Sequence, residues 1–462
     1  MAVDWLFTHA HLFTLQGDGV GYVADGAVAV AGSRIVAAGP TEQVRAHLAE
    51  AALGPARQER DASDYAILPG LIDAHIHTQL GLLRGVAQDM HDWMMKGVLP
   101  YLLELKPRWQ ILSSQLTVME ALKAGTTTFG DFLVFPDPIL FEFYLSSGIR
   151  VRPILPVFEI GPGLLAGGRL YNLDGHMGQA SYNEALRLHA EYHGAADGRI
   201  QCMMGPFAPD FISEKMLVKC KEAAENKGLP IQMHTAQGER ENEQMTLRYR
   251  KRTIPFLDEH EYLDPQFTAV HMTCASDDEV HHVAETGAKL VVCNGSIGLI
   301  DGMIPPARQF QAAGGCVGLG SDQAAGNNSC NVFNEMKLQG FFGKMYDHDP
   351  TAMPAEKVLR MATIDGAKAL GLEAEIGSLE PGKKADLILV DTRHPTLQPL
   401  IEEPFNLTAN LVYAARGNEV STVMIDGRIV YDGGELQTID ERRVLKDIRE
   451  TVPARRSKVG FS

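Results

Sequence analysis

The chain has 462 residues, enough for one large core and an accessory domain. Hydrophobic residues make up 45% and charged residues 22%, the balance of a soluble globular protein and not of a disordered one. The formal net charge of −16 repels phosphate backbones, so nucleic acid is excluded as an expected partner and a neutral small molecule is not.

The opening stretch, MAVDWLFTHAHLFTLQGDG, lacks a basic n-region and a small-residue cleavage site. No run reaches the ~18 apolar residues that span a bilayer, so no membrane partner is expected and the cytoplasm is the expected location. Residues 1–66 alternate in short Gly-punctuated runs (WLFTHAHLFTL, GAVAVAGSRIVAAG, DASDYAILPG) and read as part of a small β domain.

Residues 67–375 change rhythm. Eight apolar runs end in polar residues: LPGLIDAHIHTQ, TTTFGDFLV, RVRPILPVFE, IQCMMGPFAPD, IQMHTAQ, FTAVHMT, KLVVCNGS and CVGLGSDQ. Amphipathic stretches such as SEKMLVKCKEAAENKG and DDEVHHVAETG separate them. This alternation predicts an α/β fold, a (β/α)8 TIM-like barrel. Residues 376–436 return to the strand texture, with ADLILVD as a buried strand and IDGR as a hairpin turn. Both chain ends are therefore expected to build one small β-sandwich domain around the barrel. Residues 437–462 read as a charged helix and tail, whose basic cluster ARRSK is a solvated face.

The six cysteines (Cys202, Cys220, Cys274, Cys293, Cys316, Cys330) form no CxxC pair and read as reduced thiols; a thiolate metal site is the alternative.

His75-Ile76-His77 is the sharpest local feature. Residues i and i+2 of a strand share a side, so the two imidazoles converge, as a metal ion requires. His234 ends IQMH and His271 ends FTAVH, one run later. Each alone also fits a hydrogen-bonded core histidine. Asp322 ends CVGLGSD, where a carboxylate is costly unless paired or metal-bound. Four histidines and one aspartate at strand ends of one barrel point to one divalent metal site.

PGLIDAHIH, IQMH, AVH and GLGSD, with the return segment GSLEPGKKADLILVD, resemble the amidohydrolase superfamily over essentially the whole chain. LLRG after HIH, and MATIDGAKALGLEAEIGSLEPGKKADLILVD, are similar to its branch of atrazine chlorohydrolase, melamine deaminase and the nucleoside and guanine deaminases. The resemblance implies that His75, His77, His234 and Asp322 ligate the metal, and that His271 ligates it or hydrogen-bonds the water it activates. Binuclear members need a bridging lysine at the end of strand four. That run here ends MGPFAPD, and Lys215 falls in the next helix, so a single ion is expected. Zinc is the first expectation, with cobalt, iron or manganese suited to the same donors. The resemblance also implies a homo-oligomer, a dimer or larger.

Deaminases of this branch read HxxE, where the glutamate shuttles a proton to a ring nitrogen. This chain reads His234-Thr235-Ala236-Gln237. Glutamine hydrogen-bonds but carries no proton. Glu239, Glu241 and Glu243 follow, either as a replacement or as a solvated helix start. VVCNGSIG departs from the HCPxSN pattern as well, leaving Asn294 and Ser296 as pocket groups. Gln79, Trp93, Asn294 and Gln323 are the expected substrate contacts, and Met90, Met94 and Phe132 the expected apolar lining.

These departures favour hydrolysis of a urea, carbamate or thiocarbamate, as in the phenylurea and molinate hydrolases, where no ring nitrogen needs a proton. In that reading the metal makes water nucleophilic near neutral pH. Asp322 takes the water's proton and passes it to the leaving amine or thiol, while His271 steadies the oxyanion and Gln237 binds substrate. An aminohydrolase or chlorohydrolase of an s-triazine or purine ring is the alternative, and a barrel that only binds a ligand is a third reading.

Overall fold

The eight apolar runs become eight parallel strands: Leu71–Ile76, Thr126–Phe132, Arg150–Val157, Met203–Pro206, Ile231–Thr235, Phe267–His271, Lys289–Val292 and Cys316–Leu319. The structure is a computed structural model that describes residues 2–102, 104–161 and 170–456, with backbone alone over 452–456. The side chains of the basic cluster at 454–458 lie outside the described residues. Each strand pairs in parallel with the next in chain order. The last and first meet through a parallel bridge between Ile76 and Asp322, which closes the barrel.

All eight strands are buried at nearly every position, because helices cover the outside and side chains fill the inside. That double burial is why they read as continuous apolar runs and not as alternating ones. Ile72, Ile154, Met203, Val270 and Val291 fill the interior. The short helix Ile364–Ala369 plugs the end opposite the catalytic rim. The Ala369 carbonyl accepts from Thr268 near the start of the sixth strand, at 2.8 Å. Gly318 lets this helix approach, since a Cβ there would stand 3.2 Å from Gly366 and Ala369.

The two chain ends meet in one mixed sheet of nine strands. Tyr65–Pro69 runs antiparallel to Leu387–Asp391, with Ile67 opposite Leu389 and Pro69 opposite Leu387. The fold is thus a TIM barrel with a small β domain from both ends. The final helix, Glu441–Arg456, returns to the barrel, where Lys123 donates to Glu441 at 2.9 Å. All six cysteines are free. Among the described residues none belongs to a metal-capable cluster, so the thiolate alternative finds no support. Among the described residues no helix is long and apolar enough to cross a membrane.

Barrel and sheet are tied by a buried ion pair. Arg150, at the base of the third strand, donates from Nε and a terminal nitrogen to both oxygens of Asp386, at 2.6 and 2.9 Å. Asp386 also accepts from the backbone of Asp426 at 2.7 Å. Replacing Arg150 with Met strands this carboxylate in the interior, and the expected loss is about 3–5 kcal/mol in urea unfolding. A loss below about 1 kcal/mol would show that barrel and sheet do not depend on the pair.

Candidate metal centre and substrate cleft

Four strand ends deliver the expected side chains to one point. His75 ends the first strand with His77 just beyond it, His234 lies on the fifth, His271 ends the sixth, and Asp322 follows the eighth. The Asp322 Oδ1 atom stands 3.7 Å from His75 Nε2 and 3.3 Å from His77 Nε2. His77 and His234 approach Nε2 to Nε2 at 3.3 Å. His75, His77 and His234 form one metal-capable triad, and His75, His271 and Asp322 a second that shares His75.

The far side of each imidazole is fixed. Nδ1 of His77 donates to the Phe132 carbonyl and Nδ1 of His234 to that of Phe207, both at 2.7 Å. Nδ1 of His75 donates to Gln232 Oε1 at 2.8 Å, and the Gln232 amide is itself oriented by donating to the Ala74 carbonyl. The Nε2 atoms are thereby turned inward, the usual way a protein selects a ligand tautomer. His75 Nε2 and both ring nitrogens of His271 are buried without a hydrogen-bond partner. His75 Nε2 and the one His271 nitrogen turned toward Asp322 fit a cation between them. His271, Met272 and Asp322 also hold φ of 77°, 52° and 58°, left-handed conformations that cost free energy and gather at functional sites.

Burial, helped by the neighbouring imidazoles, lowers His77 to about 4 and His271 to about 3 and takes His234 well down. All three are neutral at pH 7, as ligands must be. Burial alone would raise Asp322, but His75, His271 and His77 hold it far below the usual carboxylate range. Its other oxygen, Oδ2, accepts from Ser296 at 2.6 Å. Two further carboxyls brace the site. Asp73 accepts from the backbone and hydroxyl of Ser321, and Asp131 from the backbone and hydroxyl of Thr78 and from Tyr144.

Beside this centre lies a cleft of about 320 Å³, lined by Trp93, Met94, Phe211, Gln237, Glu239, Arg240 and Asp301 among others. A smaller apolar recess of about 120 Å³ shares Met94 and Phe211 with it. Phe207, which lines the recess, stacks on His234 with ring centroids 5.0 Å apart.

The expected substrate contacts divide. Trp93, Met94 and Gln237 line the cleft, and the Gln237 side chain has no hydrogen-bond partner among the described residues. Gln79 does not face it. Its Oε1 accepts from Val134 and Phe135 and its Nε2 donates to the Phe135 carbonyl, so the amide braces the loop after the second strand. Asn294 is turned behind the site and donates to Gln339 at 3.1 Å. Gln323 is buried, with its carbonyl starting the turn Ala324–Asn327. Phe132 packs on His234, centroids 4.6 Å apart, and Met90 lies against Gly97.

Of the glutamates after Gln237, Glu241 is fully buried and accepts from Ala236 N, Gln237 N and Thr253. It shapes the loop and does not enter the cleft. Glu239 lines the cleft, and Glu243 is solvent-exposed. Gln232, Asp73 and Asp301 escaped the sequence reading. The first two sit two residues before His234 and His75, a period-2 signal that could have exposed them. Asp301 carries no such signal.

Neutral imidazoles, a charged carboxylate and orphaned nitrogens on a barrel rim define a metal-dependent hydrolase, for which a divalent ion such as zinc is the fitting cofactor. The chain belongs to the amidohydrolase family, whose model matches residues 66–430. It is 33% identical over 390 residues to 5-methylthioadenosine/S-adenosylhomocysteine deaminase of Moorella thermoacetica, covering 84% of this chain and 87% of the relative. It is 32% identical over 448 residues to 5'-deoxyadenosine deaminase of Methanosarcina acetivorans, covering 96% and 97%. A solved adenosine deaminase from Xanthomonas campestris with bound zinc superposes at TM-score 0.88 with 27% identity, over 99% of this chain and 98% of that one. Atrazine chlorohydrolase TrzN from Arthrobacter aurescens TC1 complexed with zinc shares the fold, at TM-score 0.86 and 19% identity over 97% and 100%.

His75→Ala should lower bound metal from about one ion per chain to near none, by elemental analysis. Retained metal with unchanged activity would remove the ligand assignment. The imidazole shifts also set a pH dependence. The metal-free folded state refuses protons on these imidazoles that the unfolded chain accepts between about pH 6.5 and pH 4, a loss of stability on acidification that Asp73, Glu241 and Glu335, raised by burial to about 7, 7 and 8, oppose by taking up protons. The test is therefore site by site: the His77 and His271 ring signals of the metal-free protein should stay those of neutral imidazole from about pH 7 to pH 5 by NMR, and titration of either near pH 6.5 would contradict the shifts.

Proposed function

We propose that the protein is an aminohydrolase of a neutral adenine nucleoside, replacing the exocyclic amine with oxygen and releasing ammonia. The similarity that runs through 96% of the chain to a relative named 5'-deoxyadenosine deaminase carries this reading. The site supports it physically. Phe207, Phe211 and Phe158 offer aromatic faces to a flat base. Among the described residues the apolar recess has no charged side chain, and it suits a deoxy or methylthio group.

His75, His77, His234 and Asp322 would hold the ion, with His271 as a further ligand or as the partner of the attacking water. A divalent metal held there would supply a water of pKa ~7 and Lewis acidity. Asp322 accepts the water's proton and delivers it to the departing amine. Its Ser296 hydrogen bond fixes Oδ2 and leaves Oδ1 facing the imidazoles. Gln237 donates a hydrogen bond from its amide to the ring nitrogen beside the reacting carbon. The same reading keeps the protein a homo-oligomer, which light scattering after size exclusion checks.

Gln237 favours a second reading, hydrolysis of a urea, carbamate or thiocarbamate, because a carbonyl substrate needs no proton on a ring. A zinc-loaded panel separates the two. Ammonia release from 5'-deoxyadenosine well above release from phenylureas, thiocarbamates and triazines is expected; cleavage of a urea or thiocarbamate with inert adenosines would reverse the assignment. Gln237→Glu restores a proton carrier, and the expected gain in kcat on the adenine nucleoside is about 10²-fold, the low end of general acid catalysis. A variant no faster than wild type would mean that Gln237 does not face the ring nitrogen.

A further inference from the structure

Asp301 is a cleft carboxylate that the reaction above does not use. It follows the helix Asn294–Ile300, whose Ser296 donates to Asp322 at 2.6 Å. Asp301 lies five positions after Ser296, a rise of roughly 7.5 Å along a helix. Asp301 therefore stands one short helix away from the metal centre, on the wall it shares with Gln237. That span is comparable with the length of a nucleoside from its amine-bearing ring carbon to its ribose hydroxyls.

The carboxylate is set as an acceptor. Trp93, from the loop after the first strand, donates its indole N–H to Asp301 Oδ1 at 3.2 Å, which leaves Oδ2 without a partner among the described residues. Arg240, the cation in the same cleft, is committed to Asp210 at 2.7 Å and to the Tyr171 hydroxyl at 3.2 Å, and does not pair with Asp301. Burial raises Asp301 to about 6, the charge of Asp322 adds to the rise, and Trp93 and Arg240 oppose it. It remains mainly ionised at neutral pH, fixed in direction and short of donors. A neutral ligand with hydroxyl donors at that distance meets its need; a phosphate or carboxylate would be repelled by it and by Glu239.

We infer that Asp301 determines specificity by accepting hydrogen bonds from the ribose hydroxyls of the substrate, with Trp93 holding it in place. This rests on the nucleoside reading above.

The test compares 5'-deoxyadenosine with 2',3',5'-trideoxyadenosine on zinc-loaded enzyme. Asp301→Asn should lower kcat/KM for the riboside by about 30-fold, mainly through KM, and for the trideoxy analogue by less than about threefold. Trp93→Phe should move the riboside the same way by a smaller factor, with zinc content and melting temperature kept. It carries the comparison alone if Asp301→Asn does not accumulate folded. Equal losses on both substrates, or none on either, overturn the inference while leaving the deaminase reading intact. A wild-type enzyme that deaminates no adenine nucleoside overturns both.

Discussion

The seam between the first and last barrel strands places the chemistry. Asp322 donates its backbone N–H to the His75 carbonyl at 2.9 Å, and its own carbonyl accepts from His77 N–H at 3.2 Å. These hydrogen bonds straddle Ile76, so the flanking residues present imidazoles to one side while Asp322 presents its carboxylate to them. Closing the barrel and assembling half of the metal centre are one event. The left-handed backbone of Asp322 is the local cost, and the Asp73 carboxyl offsets part of it by gripping Ser321 from both backbone and hydroxyl.

A buried pocket with four imidazoles and one ionised carboxylate is electrostatically expensive without a balancing cation. The surroundings keep that cost from growing. Burial pushes Asp73 up to about 7 and Glu335 up to about 8, so neither carries its full negative charge at neutral pH. Glu335 still organises the wall. It accepts from Gly295 N and from Asn327, which fixes the start of the helix that carries Ser296 to Asp322. A divalent ion there would relieve part of that cost, since it would offset the charge of Asp322 and satisfy His75 Nε2 and one of the two orphaned nitrogens of His271. Folding and metal loading are therefore thermodynamically linked.

The barrel was legible because double burial makes its strands apolar throughout, and the metal centre because its donors end those strands. Substrate contacts were not legible at the same level. Gln79 and Gln237 both follow a metal-centre histidine closely, yet Gln79 spends its amide on the backbone of Val134 and Phe135, more than 50 positions away. Nothing local distinguishes a polar side chain that braces a loop from one that meets a ligand. Asp301 is the reverse case. It sits in a weak pattern, and its defining partner, Trp93, lies 208 residues earlier. Loops from different strands meet only over the finished rim, so their pairings cannot be read before the barrel is closed.

The substrate question turns on how much proton transfer the ring demands. Glu241 cannot serve in place of Gln237, because its two oxygens are occupied by Ala236 N, Gln237 N and Thr253, and it faces the loop interior. It does something else, holding the backbone of Gln237 so that the amide projects into the cleft. In the deamination proposed above, a neutral amide so held would lower the barrier by a hydrogen bond to the ring nitrogen, at less gain than a transferred proton. The loss of the glutamate thus argues for a slower ring hydrolase or a more activated substrate before it argues for a different reaction. Whole-length similarity to relatives named as 5'-deoxyadenosine and 5-methylthioadenosine/S-adenosylhomocysteine deaminases weighs on the same side.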